Sequence, residues 1–290
     1  MNTCKTVLAS TVSKHFRNRI KREISERNIR PKLVGFLANE DPASKKYAEQ
    51  TAKTLKETGF DFNLIKVDKG QLESSIQRAN LDSDVNGIMV YYPVFGDQID
   101  TKLKNTVDSF KDIEGLRHVS AKKERNTVPC TPLAVIKILE FIGAYKSDLL
   151  HGQRLKDHTV TIINRSEIAG QPLAALLAND GATVYSVDEH SVQVLTKTHK
   201  QEDTELKIFQ VLPKSDIVIT GVPAPKYKLP TELLKPGVIA INFSTFANFE
   251  PDVVSKASYF VPSVGKMTVA MLEKNLLTLY NHQNPHHTRP

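Results

Sequence analysis

Cysteine is scarce in this chain, and that scarcity bounds its chemistry first. Cys4 and Cys130 are the only two in 290 residues, too few for a disulfide framework or a cysteine-based zinc cluster. A reducing, cytoplasmic setting fits that count. Long apolar runs are missing, so no segment reads as membrane-spanning. Residues 1–10 lack an apolar core ahead of a small-residue cleavage site, which argues against secretion. No stripe of interleaved basic and aromatic residues marks a nucleic-acid surface. No internal repeat is visible beyond a general alternation of helix-like and strand-like segments.

What is present is the composition of a globular protein, 40% hydrophobic and 24% charged, long enough for two domains. The net charge is +7, from 39 basic and 32 acidic residues. Basic stretches at residues 17–27 and 122–125 read as solvated surface. The functional alternative is attraction of an anionic small molecule. The tail, residues 284–290, reads as disordered. Its His286 and His287 read as part of a polar end rather than as ligands, and no metal site is expected.

Hydrophobic periodicity gives the elements. In the first half, helices are expected over 12–27, 43–58, 72–79 and 131–142. Strands are expected over 33–38, 62–67 and 87–92. Gly59 stops the second helix, and Thr131 is read as a cap with Pro132 at the first helical position. In the second half, 160–163, 183–187, 217–220 and 238–242 are short, β-branched and almost wholly apolar, as central parallel strands are. Residues 267–282 read as a long final helix, whereas 190–212 are polar and carry no clear period. The whole is an α/β pattern of parallel sheets covered by helices.

The most informative stretch is 159–188, TVTIINRSEIAGQPLAALLANDGATVYSVD. Strand, polar turn, helix and second strand follow one another there, the unit that holds a nucleotide against a helix N-terminus. The usual three-glycine fingerprint is absent: only Gly170 occupies the turn, though backbone amides at a helix start can cradle phosphate without the others. Arg165 and Ser166 add a charge and a hydroxyl. Asp188 ends the second strand, where a carboxylate can accept from both ribose hydroxyls and repel a 2′-phosphate, favouring NAD over NADP. Spacing alone equally allows Asp188 to be a cap or turn residue. Arg165 argues the other way, because it could hold a 2′-phosphate. Thr220, Gly221, Val222 and Pro223 follow the third strand, where nucleotide-binding loops gather.

Six segments then run in one order along nearly the whole chain: DPASKKYAEQTAKTLKETGF, NGIMVYYPVFG, KDIEGL, PCTPLAVIKILEF, NRSEIAGQPLAALLANDGATVYSVD and GKMTVAMLEKN. Together they resemble the methylenetetrahydrofolate dehydrogenase/cyclohydrolase family, most closely its monofunctional, NAD-dependent fungal branch. The resemblance implies two αβα domains. A folate-binding catalytic domain would comprise 1–145 plus 268–290, with the final helix returning to it. A Rossmann-like NAD-binding domain would comprise 146–267, with the folate cleft between the two. It implies a cytoplasmic homodimer of one-carbon metabolism and purine biosynthesis, acting on a polyglutamylated tetrahydrofolate. Its cofactor set would be Arg165, Ser166, Ile168, Gly170, Asp188, Thr220, Gly221, Val222 and Thr268. Its catalytic set would be Tyr47, Thr51, Tyr91, Glu114 and Cys130.

Departures from the family pattern narrow the activity. Bifunctional members carry a lysine four residues after the tyrosine, one helical turn on and on the same face. Here that position is Thr51, and Lys53 and Lys56 point elsewhere. The family's glutamine is Tyr91, its pterin-facing aspartate is Glu114, and the folate loop is shortened to VPSVGKMT. A hydroxyl is a poor acid or base near neutral pH. The resemblance therefore implies oxidation of 5,10-methylenetetrahydrofolate to 5,10-methenyltetrahydrofolate, with cyclohydrolase activity weak or lost.

Without the resemblance, Tyr47 reads as packing, Glu114 as an exposed loop acid and Cys130 as a small buried hydrophobe, a reading that holds for Cys130 even with it. Alternative functions are a bifunctional enzyme with another group in the lysine's place, a non-catalytic folate- or nucleotide-binding regulator, and a Rossmann dehydrogenase of a small carbonyl compound.

Overall fold

The computed structural model describes residues 3–96, 98–117, 126–198 and 201–285. The basic stretch 122–125 and both tail histidines lie outside them. The chain forms two compact units, one of Met1–Ser13 with Thr131–Thr268, the other of Lys14–Cys130 with Val269–Pro290. This division falls just before residue 131; the boundary implied by the resemblance, 145/146, was one of folate and cofactor function rather than of compactness.

The unit containing residues 14–130 is built on a three-stranded parallel sheet. It contains β2 (Lys32–Leu37), β3 (Asp61–Lys66) and β4 (Gly87–Val90), in the order β3-β2-β4. β4, GIMV, is buried at all four positions, as a strand covered on both faces must be. The helices are α1 (Ala9–Arg27), which enters from the other unit, α2 (Pro42–Thr58), α3 (Leu72–Leu81) and α4 (Gln98–Thr106). α2 is closed at both ends by its own sequence. Asp41 accepts from Ser44 N at 2.8 Å, Pro42 opens the helix, and Gly59 ends it at φ +106°, a left-handed conformation a side chain would oppose.

The other unit carries an eight-stranded sheet in the order β1-β11-β10-β9-β5-β6-β7-β8. Its strands are β1 (Lys5–Thr6), β5 (Thr159–Ile163), β6 (Thr183–Val187), β7 (Val192–Leu195), β8 (Glu202–Thr204), β9 (Ile217–Thr220), β10 (Ile239–Asn242) and β11 (Tyr259–Val261). The four strands expected to be central form one contiguous block, β10-β9-β5-β6, paired in parallel throughout. Of these strands only β7 runs against the rest, pairing antiparallel with β6 on one side and β8 on the other. The helices are α5 (Cys130–Phe141), α6 (Gly170–Asn179) and the single turn α7 (Ile208–Val211).

Four details depart from the sequence pattern. α5 begins at Cys130, so Thr131 is inside the helix and not its cap; Pro132 is tolerated because first-turn amides have no intrahelical acceptor. The aperiodic stretch 190–212 is the β7–β8 hairpin leading into α7. β1 and β11 are two and three residues long, too short to show a period. α4 was also missed, because its sequence QIDTKLKNT is mostly polar and buries only Asp100 and Leu103.

The final helix, α8 (Gly265–Gln283), returns to the 14–130 unit. Glu273 accepts from the Thr58 hydroxyl at 2.6 Å. Gln283 exchanges side-chain and backbone hydrogen bonds with Asn86.

Candidate functional site

In the 14–130 unit, the five residues expected to serve catalysis come together. α2 supplies Tyr47 and, one turn on, Thr51; Tyr91 follows β4. The Tyr47 and Tyr91 rings meet edge to face, with centroids 5.9 Å apart. Thr51 is fully buried. Its hydroxyl lies close enough to the Tyr47 and Tyr91 phenols to favour their ionised forms slightly, yet neither Thr51 Oγ1 nor Tyr91 OH reaches hydrogen-bond geometry. Buried hydroxyls left unpaired are uncommon and costly. Lys53 and Lys56 are exposed.

Glu114 lies beside this cluster, half-buried, with Oε2 accepting from Val90 N at 3.4 Å. Desolvation, and then the nearby charge of Asp112, push its carboxyl up to about 8, against the pull of the Val90 amide and Lys104. It is therefore mostly protonated at neutral pH. Burial, and then Glu114, push the Tyr47 and Tyr91 phenols upward as well, so neither is an acid near neutrality. Cys130 is buried, with Sγ 3.4 Å from Ile113 O, and its thiol is pushed up by burial. That fits the small-hydrophobe reading.

Two aspartates unnoticed in the sequence hold the loops. Asp100 accepts from the amides of Val94, Phe95 and Gly96, each at 3.0 Å, and so fixes the chain after Tyr91. Asp112 accepts from Gly115 N at 2.9 Å and Arg117 N at 2.8 Å, bending the chain around Glu114. Asp112 stands in the KDIEGL segment and Asp100 just beyond NGIMVYYPVFG, but a carboxylate that binds local amides has no periodic signature.

In the other unit, a cavity of about 950 Å³ opens along the ends of β5 and β6 and the β6–β7 turn. Arg165, Asp188 and Val222 line it, with Asn164, Ser191 and Tyr227. That volume suits a cofactor-sized ligand. Gly170 starts α6, and a β-carbon there would collide with the Asn164 carbonyl, so this one glycine is required for a tight turn. Asn164 organises that turn: its Oδ1 accepts from Ser166 N at 3.0 Å and Ser166 Oγ at 2.7 Å, and its Nδ2 donates to Gly221 O at 2.9 Å.

Arg165 is committed to protein acceptors. Nε donates to Ser186 Oγ (3.3 Å), Nη1 to Asp188 Oδ2 (2.5 Å) and Ser191 Oγ (2.8 Å), and Nη2 to the carbonyls of Ser186 (2.6 Å) and Ser191 (3.0 Å). A guanidinium has five N–H donors, and this geometry uses them all. Asp188 Oδ1 accepts from His190 N and Ser191 N, both at 2.8 Å. Burial opposes ionisation of Asp188, but those two amides and Arg165 outweigh it and hold the carboxyl below its ordinary value. Asp188 thus shapes a turn and presents an anion to the cavity at once; the two sequence readings are compatible.

Other expected cofactor residues are placed differently. Thr220 is fully buried and spends its hydroxyl on Asn248 Oδ1, which also accepts from Val222 N at 2.8 Å. Ile168 is exposed on the turn. Thr268, in α8, donates to Val264 O at 3.4 Å. Ser166, Ile168, Gly170, Thr220, Gly221 and Thr268 do not line the cavity. Asn164, Ser191 and Asn248 were missed, since nothing in their spacing distinguishes them from ordinary turn residues.

Two family descriptions match this chain. The tetrahydrofolate dehydrogenase/cyclohydrolase catalytic domain matches residues 7–114. The NAD(P)-binding domain of the same family matches residues 129–284. The chain belongs to the tetrahydrofolate dehydrogenase/cyclohydrolase family. It is 46% identical to the methylenetetrahydrofolate dehydrogenase [NAD(+)] of Schizosaccharomyces pombe, over 97% of this chain and 95% of that protein. Identity to the Saccharomyces cerevisiae protein of the same name is also 46%, over 95% of each. The solved structure of the Saccharomyces cerevisiae NAD-dependent 5,10-methylenetetrahydrofolate dehydrogenase superposes with a TM-score of 0.88 at 44% identity, covering 97% of this chain and 98% of that one. Among the described residues, no helix is long and apolar enough to cross a membrane, and no group of three or more His, Cys, Asp or Glu is placed to hold a metal ion.

Proposed function

We propose that this family member is an NAD-dependent methylenetetrahydrofolate dehydrogenase with little or no cyclohydrolase activity. NAD, when bound, accepts the hydride that leaves the one-carbon bridge as 5,10-methylenetetrahydrofolate becomes 5,10-methenyltetrahydrofolate. Nitrogen lone pairs on both sides of that carbon stabilise the cation, so the protein need not supply a strong base. Its work is alignment and exclusion of water. Glu114 meets the donor-rich edge of the pterin, and Tyr91 and Thr51 back it from the same buried cluster. Asp188 accepts from the ribose hydroxyls. With every N–H of Arg165 already taken, a 2′-phosphate would meet the Asp188 anion and find no spare donor on Arg165, which supports NAD over NADP.

The observation that carries the monofunctional reading is the pair Thr51 and Tyr91. Neither can manage a proton at neutral pH, and no lysine on α2 turns toward the cluster. Proton management of water attack is typically worth about 10²–10⁴-fold, and hydrolysis falls by that order without it. With methylenetetrahydrofolate, methenyl absorbance should accumulate with NAD, and far less with NADP. Methenyl hydrolysis clearly above the spontaneous rate would make the enzyme bifunctional. The finer expectations belong to the same proposal: a polyglutamylated substrate, a homodimer, a cytoplasmic location and a supply of one-carbon units to purine biosynthesis. So does the assignment of the folate site to residues 1–145 with 268–290.

A further inference from the structure

Asn275 closes the GKMTVAMLEKN segment on α8 and is buried, at 4% exposure. Its Nδ2 donates to Ile113 O at 2.8 Å and to Val128 O at 2.8 Å. A side-chain amide nitrogen has two N–H donors, and both are spent. The two carbonyls belong to separate stretches of chain. Ile113 directly precedes Glu114, and Val128 lies two residues before Cys130. The same nitrogen is 3.5 Å from Cys130 Sγ.

The two stretches are pressed together where Asn275 joins them. Gly115 has φ +66°, and a β-carbon there would fall 2.8 Å from Pro129 N. Thr127 Oγ1 adds a second tie, to Asp112 O at 2.7 Å. Neither loop has a regular ladder to set its spacing, so the amide of Asn275 sets it from a rigid helix. An apolar residue of similar size would leave Val128 O without this donor in the interior and Ile113 O with only the weak Cys130 thiol.

We propose that Asn275 is a positioning residue for the dehydrogenase. By clamping Ile113 O to Val128 O it fixes the backbone on the N-terminal side of Glu114 and so aims that carboxyl at the substrate. This inference rests on the reading of Glu114 as the substrate-facing group.

A double-mutant cycle on the full-length enzyme tests it. Glu114→Gln should raise the KM for methylenetetrahydrofolate. Asn275→Ala should raise it about tenfold, the scale of a small misplacement of a binding group, while the KM for NAD stays within about twofold. If Asn275 acts through Glu114, the double variant should match Glu114→Gln within about twofold, because residues acting as a unit are non-additive. A wild-type folate KM in Asn275→Ala, or effects that multiply in the double variant, overturns the proposal while leaving the reading of Glu114 intact. An unchanged KM in Glu114→Gln overturns that reading and this inference with it. Should the alanine variant fail to fold, Asn275→Ser replaces it in the cycle, since its hydroxyl can still serve one carbonyl. If neither variant folds, Asn275 supports the fold as a whole and the proposal fails.

Discussion

Arg165 and Asp188 set the charge of the cavity beside β5 and β6 as a pair. Each has a partner-independent reading that sequence supports, and the readings point to different cofactors. The salt bridge between them, with Arg165 only 12% exposed, removes the conflict by making the arginine part of the wall. Replacing Asp188 with Ser deletes one acceptor of Nη1 and the repelling anion together. The NADP-to-NAD ratio of kcat/KM should then rise about tenfold or more, equivalent to ~1.4 kcal/mol. A second substitution, Arg165→Ala, should cancel that gain. An unchanged ratio in Asp188→Ser would leave Asp188 as a turn residue alone. Glu114 makes a different prediction. Its carboxyl is pushed up to about 8 by burial and by Asp112, so the protonated form is favoured at pH 7, whereas the proposed contact with two pterin donors requires the ionised form. Folate binding should therefore release a proton near pH 7, and affinity should rise with pH until about 8. Calorimetric titration in buffers of different ionisation enthalpy measures that proton, and Glu114→Gln should abolish it.

Among the elements, α2 was legible because its stop and start signals are local. Asp41, Pro42 and Gly59 each act through their own backbone, so short-range chemistry fixes both ends of the helix carrying Tyr47 and Thr51. Asp41→Ala should cost about 1 kcal/mol. Gly59→Ala, forced to φ +106°, should cost about as much or more. Both should lower the Tm in differential scanning calorimetry, and a Tm unmoved by either would mean α2 is held wholly by tertiary packing. The strands β6 and β9 were read to the residue because a central parallel strand must be apolar on both faces. The hairpin β7–β8 was not. Its outer strand, Glu202–Thr204, sits at the sheet edge, where solvent permits charges and alternation gives no signal. That hairpin nevertheless supplies Val192 and Thr204 to the cavity wall.

For the molecule as a whole, α8 brings the end of the chain back to the 14–130 unit and carries a buried acid with it. Burial pushes the Glu273 carboxyl up to about 7, against the Thr58 hydroxyl and Arg17, whose Nε lies 3.4 Å away as an ion pair. Glu114 is raised in the same direction. Between about pH 4.5 and 8 the folded chain thus holds protons that the unfolded chain has shed, so stability should fall as pH rises through that window. The Tm of the ligand-free enzyme should drop from pH 5 to pH 8.5, and Glu273→Gln should flatten part of the slope; a Tm that rises with pH would contradict both shifts. Sequence by itself determined the alternation of elements, the parallel core of the larger sheet, the family and the substitution of Thr51 for a lysine, because each is written in local pattern or residue identity. Only the tertiary structure decided that Arg165 is spent on Asp188, that burial and Asp112 raise the Glu114 carboxyl, and that Asn275 ties two loops more than a hundred residues away in the chain. Those properties depend on which groups share a buried space, and a one-dimensional pattern does not record distance or desolvation.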